Sequence, residues 1–236
     1  MTKHTFADFD KLSRWIDSKS VSRWSEVEPR FIKAVEKFDA EFASGVQTAG
    51  SYKAKARYFN DFVIQVLQNW SRMDVVGPVH RDSQLFDKID IDICFPGDGI
   101  PKVGAEVKAL GTPAHAGNKW KPRAARSDLH KRVREVAFTS TDLKAAYARP
   151  VAIKTFQSWI DRTDPAYFSF WAVRVEDKSD FETVRSILVG LRNYCNGVGA
   201  VIYEPVPNAE TIRYRVKKVP ELTMDKALRS MAQHMT

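Results

Sequence analysis

A mixed α/β fold, with a central sheet flanked by helices, is what the order of patterns along this 236-residue chain predicts. Three observations carry the prediction. Segment 53–70 places Phe59, Phe62, Val63, Val66, Leu67 and Trp70 on one stripe at helical spacing. Two alternating segments, 88–95 and 102–110, follow it with a tight turn between them and read as a hairpin. A third alternating segment, 167–175, leads into a second helical stripe over 180–194 and then a strand at 200–204.

In chain order, the residues up to about 42 read mostly as helix. Phe31, Val35 and Phe38 keep helical spacing, and Ser25 with Glu28 has the form of a capping box. The small residues of 45–51 read as a loop and a boundary, which makes 1–50 a helical N-terminal extension. After the hairpin, 111–126 has no periodicity and is rich in Gly, Pro, Lys and Arg around the single Trp120. A helix over 128–138 and a second helical piece over 141–148 follow. In 180–194 the stripe is Phe181, Val184, Ile187, Leu188 and Leu191. Two strands, 200–204 and 211–219, are joined by a turn at 205–210, and a helix over 221–235 closes the chain. No repeat and no low-complexity segment interrupts this order.

The hairpin carries the chemistry. Side chains alternate faces along a strand. On the first strand, Ile89, Ile91, Ile93 and Phe95 oppose Asp90, Asp92 and Cys94; on the second, Val103, Ala105, Val107 and Ala109 oppose Gly104, Glu106 and Lys108. Between them, Asp98-Gly99 marks a turn, bounded by Pro96 and Pro101. If the apolar faces meet the core, Asp90, Asp92, Glu106 and Lys108 gather on the other side, with cross-strand neighbours ~5 Å apart. Crowded carboxylates raise one another's pKa unless a positive charge sits among them. A divalent cation meets that need, and oxygen ligands are those Mg²⁺ prefers. Such an ion beside a lysine is equipment for cleaving a phosphodiester. Gly104 leaves room on this face for a metal or phosphate, or marks a β-bulge. A solvated amphipathic hairpin has the same pattern.

Composition adds a partner. The net charge is +8 and the sequence pI about 9.4, which favours a polyanion. Across 111–150 nine Lys and Arg face only Asp128, Glu135 and Asp142, so the excess falls just after the second hairpin strand. A solvated basic loop is the plain alternative there. No apolar run is long enough to span a bilayer and no signal-peptide pattern opens the chain, so a cytoplasmic, non-membrane protein is expected. Cys94 and Cys195 read as two buried thiols. No CxxC, HExxH or paired-His spacing suggests zinc.

At Asp90/Asp92 and Glu106-Val107-Lys108 the chain resembles the PD-(D/E)XK nuclease superfamily, which includes most type II restriction endonucleases. The family pattern is an Asp on one strand and Glu-x-Lys on the next. The proline that names it is absent, since Ile89 and Ile91 precede the two Asp residues. The resemblance implies an αβββαβ core with a central mixed sheet flanked by helices, a single nuclease domain over 1–236, and Mg²⁺ as cofactor with Mn²⁺ able to substitute. It implies Asp92 and Glu106 as metal ligands and Lys108 as the group that activates water or stabilises the transition state. Asp92 is favoured for its nearness to the turn, with Asp90 the alternative ligand or its supporting partner. The implied substrate is double-stranded DNA, met by Asn118, Lys119, Lys121, Arg123 and Arg126, with Trp120 anchoring their loop and at most one of Arg132 and Arg134 reaching it. A third acid often comes from the upstream helix, where Asp61 is read as solvent-facing and Glu26 and Glu28 are lesser candidates. His80-Arg81-Asp82 reads as a polar loop. A homodimer with a cognate DNA methyltransferase as genetic partner is expected. A repair, recombination or modification-dependent nuclease of the same fold, or a non-catalytic DNA-binding protein, remain the alternatives.

Overall fold

The computed structural model describes residues 6–47, 51–82, 88–98, 101–116, 122–147 and 165–236. Three helices come first: α1 (Ala7–Lys19), α2 (Trp24–Ala43) and α3 (Tyr52–Ser71). Then come β1 (Val79–Asp82), β2 (Lys88–Ile91), β3 (Ile93–Phe95), β4 (Val103–Leu110), α4 (Arg126–Tyr147), β5 (Ala166–Arg174), α5 (Lys178–Leu191), β6 (Gly197–Pro205) and β7 (Tyr214–Lys217). A 3₁₀ turn (Pro220–Leu222) precedes α6 (Met224–Met235). The five-stranded sheet has the order β3-β4-β5-β6-β7, with β4, β5 and β6 parallel and the two edge strands antiparallel. The mixed sheet flanked by helices that the patterns predict is therefore observed. Among the described residues, no helix is long and apolar enough to cross a membrane.

Two apolar clusters sandwich the sheet. On one face Val103, Ala105, Val107, Phe168 and Phe170 pack against α1, α2, α3 and α6 through Phe9, Phe31, Phe62, Leu228 and Met231. On the other, Tyr167, Trp171 and Val173 pack against α4 and α5 through Leu129, Val136, Val184 and Leu188. All nine residues of β5 are buried, as a central parallel strand covered on both faces requires.

Four local readings are corrected. The segment 88–95 is not one strand. It breaks at Asp92 into β2, which pairs with β1 in a separate two-stranded sheet, and β3, which pairs with β4. The break has a cause: the Asp92 carboxylate accepts the Val107 N–H at 2.8 Å, and Gly77 packs so closely that a Cβ there would meet the Asp92 carbonyl oxygen. It also flips the faces, so that Ile89 and Ile91 join the α4/α5 side while Ile93 joins the other. His80-Arg81-Asp82 belongs to strand β1 rather than to a loop. The two helical pieces expected over 128–138 and 141–148 are, as far as Tyr147, one helix, α4. Its Thr139 and Thr141 donate back to the carbonyls of Glu135 and Ala137, and Ser140 donates to Tyr194 O, so these polar residues do not divert the backbone. The Ser25–Glu28 capping box is absent. Asp225, at the start of α6, caps α2 instead, accepting the N–H groups of Trp24 at 2.5 Å and Ser25 at 3.1 Å.

Candidate active site

β4 presents Glu106 and Lys108 on the α4/α5 face of the sheet, level with Ser169 and Trp171 of β5. Asp92, at the break before β3, faces them across the β3–β4 edge. Its Oδ2 accepts from Val107 N at 2.8 Å and from Lys108 Nζ at 3.2 Å. Lys108 Nζ also donates to Glu106 Oε2, so one ammonium sits against both carboxylates. Only 8% of the Glu106 side chain is exposed, against 27% of Asp92 and 19% of Lys108. Glu106 is thus the acid least able to reach water. Burial pushes the Glu106 carboxyl up to about 8, against the pull of Lys108 and with the push of Asp92. Desolvation works against the Lys108 ammonium, but Glu106 and Asp92 outweigh it and raise its pKa.

Two residues not read from the sequence complete the arrangement. The buried Tyr167 hydroxyl donates to Glu106 Oε1 at 3.3 Å. Its ring occupies the space left by Gly104: a Cβ at Gly104 would lie 3.0 Å and 3.1 Å from two ring atoms. The space read as room for a metal or phosphate is therefore filled by Tyr167. Asn60 of α3 lies beside Asp92, its Nδ2 3.5 Å from the Asp92 carbonyl oxygen, and its Oδ1 is buried without a hydrogen-bond partner among the described residues. Neither residue has a local signal. Each reaches the site through packing between elements distant in sequence.

The remaining candidates fall elsewhere. Asp90, with a 74% exposed side chain, pairs with His80 across β1–β2 and does not join Asp92, Glu106 and Lys108. The shift of faces at Asp92 is the reason. Glu28 is held by Lys218, next to the far edge strand β7, and Glu26 is exposed. Asp61 is half-buried rather than turned to solvent, its pKa raised by desolvation and eased by Arg57. Arg81 donates to Gly97 O at 2.7 Å and so ties β1 to the turn after β3. Cys94 and Cys195 are buried and free. Asn118, Lys119, Trp120 and Lys121 lie outside the described residues. The neck of their loop is closed by the paired backbones of Thr112 and Arg123, and pinned to α2 where Ala116 N donates to Ala43 O at 3.0 Å. Arg123 is exposed but engaged with Asp128, Arg126 is exposed at the start of α4, and Arg132 is engaged with Glu135.

Among the described residues no group of three or more His, Cys, Asp or Glu is placed to hold a metal. The donor set that does exist is the two convergent carboxylates of Asp92 and Glu106. That set suits a hard cation which keeps much of its water shell and needs only one or two carboxylates. Comparison of the chain with protein-family models, with curated proteins and with solved structures finds no match.

Proposed function

We propose that this chain is a Mg²⁺-dependent endonuclease of the PD-(D/E)XK type that hydrolyses phosphodiester bonds of double-stranded DNA as a type II restriction enzyme. The observation that carries the reading is the convergence of Asp92, Glu106 and Lys108 at one point of the β3–β4 edge. Two observations support it. Helix α3 precedes an antiparallel β3–β4 pair that continues, through the crossover helices α4 and α5, into the parallel strands β5 and β6, an order compatible with an αβββαβ core that carries an insertion after its second strand. Positive charge is in excess after β4.

Asp92 and Glu106 would hold Mg²⁺, which supplies positive charge against that developing on the phosphoryl oxygens and makes water a better acid. The protein's own groups do the rest. Lys108 gives one ammonium donor to Asp92 and one to Glu106, and the third is left for the attacking water or the scissile phosphate. The Tyr167 hydroxyl keeps Glu106 aimed toward Lys108 and Asp92. Cutting both strands takes two such sites, which a two-fold homodimer on a palindromic sequence supplies, with a cognate methyltransferase protecting the host's DNA.

Purified protein is incubated with plasmid and phage DNA in Mg²⁺ or EDTA, beside Glu106→Gln, Lys108→Ala, Asp92→Asn and Asp90→Asn. Discrete fragments are expected with Mg²⁺ alone, lost in the first three variants by a factor of roughly 100 or more and retained in Asp90→Asn. Random nicking points to a repair-type enzyme of the same fold. DNA that is shifted but never cut makes the chain a non-catalytic binding protein. Loss of cutting in Asp90→Asn with retention in Asp92→Asn would reverse the assignment of the ligand.

A further inference from the structure

Helix α4 continues the basic loop in a way that its sequence alone does not reveal. Its buried residues Leu129 and Val136 pack in the cluster that holds Ile91, Tyr167 and Trp171, so α4 covers the sheet face on which Glu106 and Lys108 stand. Its outward side is formed by Arg126, Ser127, His130, Lys131 and Arg134, all exposed. Arg126, His130 and Arg134 recur at i, i+4 and i+8, one row over about 12 Å of helix axis, and Lys131 lies beside them.

The acids of α4 are placed off this row. Asp128 is engaged by Arg123, Glu135 by Arg132, and Asp142 is buried. The side chains of Arg126, Lys131 and Arg134 have no carboxylate partner among the described residues, the Asp180 carboxylate meeting only the Arg126 backbone N–H at 3.4 Å. An ordinary solvated helix face carries both signs in i, i+4 pairs; this one carries a single sign.

We infer that the outer row of α4, the helix that covers the catalytic face of the sheet, is a contact surface for the phosphate backbone of duplex DNA, independent of base sequence. The inference rests on the nuclease reading and names where its substrate lies. The row consists of point charges and guanidinium forks, the groups that meet phosphates. No Phe, Tyr or Trp stands among its exposed residues, and a single-strand binder needs such stacking platforms.

The test measures binding of a 30-base-pair duplex in EDTA, where nothing is cut, across a salt series. The compared proteins are wild type, the triple variant Arg126→Gln/Lys131→Gln/Arg134→Gln, and a charge-matched control, Lys11→Gln/Lys33→Gln/Lys53→Gln, whose exposed lysines lie on α1, α2 and α3. Each phosphate contact contributes about 0.9 to the slope of log affinity against log salt, so the α4 variant is expected to lose about 2 to 3 from that slope and roughly tenfold or more in affinity at low salt, with the control near wild type. Coincident thermal melts establish that the variants are folded. A slope unchanged in the α4 variant, or lowered equally in the control, overturns the inference while leaving Mg²⁺-dependent cutting, and thus the nuclease reading, in place. Wild type that neither binds nor cuts duplex overturns both. Single strands held as tightly as duplex, or α4-dependent binding to phosphatidylserine vesicles in place of duplex, also overturns it.

Discussion

At Gly104 one missing methyl decides where Glu106 points. Tyr167 lies across that gap, and its hydroxyl holds Glu106 Oε1 at 3.3 Å. Gly104→Ala therefore crowds the ring and is expected to cost about 1–3 kcal/mol, as overpacking in a closed interior does. Tyr167→Phe keeps the ring and removes only the bond, at about 1 kcal/mol. In both, cleavage should fall more than stability accounts for; a Tyr167→Phe protein with wild-type cleavage rates would show that the hydroxyl does not position Glu106. The pH dependence follows from the same residue. Glu106 has an ordinary value near 4.5 and is raised to about 8 by burial, so between those values the native protein keeps a proton that the unfolded chain releases. The unfolded state then binds fewer protons, and stability falls as pH rises from about 4.5 to 8. Urea midpoints in EDTA should decline across that window and decline less in Glu106→Gln; equal declines would assign the effect to other groups. Alternation alone was enough to put Glu106 and Lys108 on one face. It could not choose between Asp90 and Asp92, because a period of two is informative only while the strand is continuous, and this one breaks at Asp92.

Elements were legible from sequence where their stabilisation is local, and misread where it comes from a distant partner. Stripes such as Phe59 to Leu67 and Val184 to Leu191 repeat within a few residues, and α3 and α5 appear where those stripes lie. The division expected within α4 failed because the carbonyls of Glu135 and Ala137 accept the Thr139 and Thr141 hydroxyls and Tyr194 O accepts that of Ser140. Strand β1 was hidden because an edge of four residues paired only with β2 carries little apolar periodicity of its own. The cap of α2 makes the contrast measurable. Ser25 and Glu28 have the right spacing, yet Asp225 from α6 accepts the Trp24 and Ser25 N–H groups. Asp225→Ala should destabilise the protein by about 1–2 kcal/mol in urea unfolding, and Ser25→Ala should be nearly neutral. The reverse order would restore the local box.

At the scale of the whole molecule, the N-terminal helices are tied to the sheet by a buried ionic network as well as by apolar packing. Asp39 of α2 and Lys55 of α3 are both almost wholly inaccessible and lie 3.4 Å apart. Tyr214 of β7 donates to Asp39 Oδ2 at 2.7 Å, Arg174 of β5 donates from Nε to Tyr214 at 3.0 Å, and Tyr52 donates to Gly111 O at 2.9 Å, where the chain leaves β4. Burial lowers the Lys55 pKa, and the Asp39 charge opposes that. Removing Asp39 strands a cation in the interior, a loss typically of about 3–5 kcal/mol, whereas replacing both partners by apolar residues of similar size is far milder. Asp39→Ala should therefore be the worse protein and Asp39→Leu/Lys55→Met the better one, a non-additivity that a double-mutant cycle in urea reads directly. Because the same network and the cluster around Phe31, Phe62 and Phe168 join α1–α3 to β4–β7, unfolding should also be one event. Tryptophan fluorescence and far-ultraviolet circular dichroism should trace coincident curves, and a chain starting at residue 51 should not fold. Two separated transitions, or a stable fragment lacking the first 50 residues, would make the N-terminal helices an appendage to a core that stands without them.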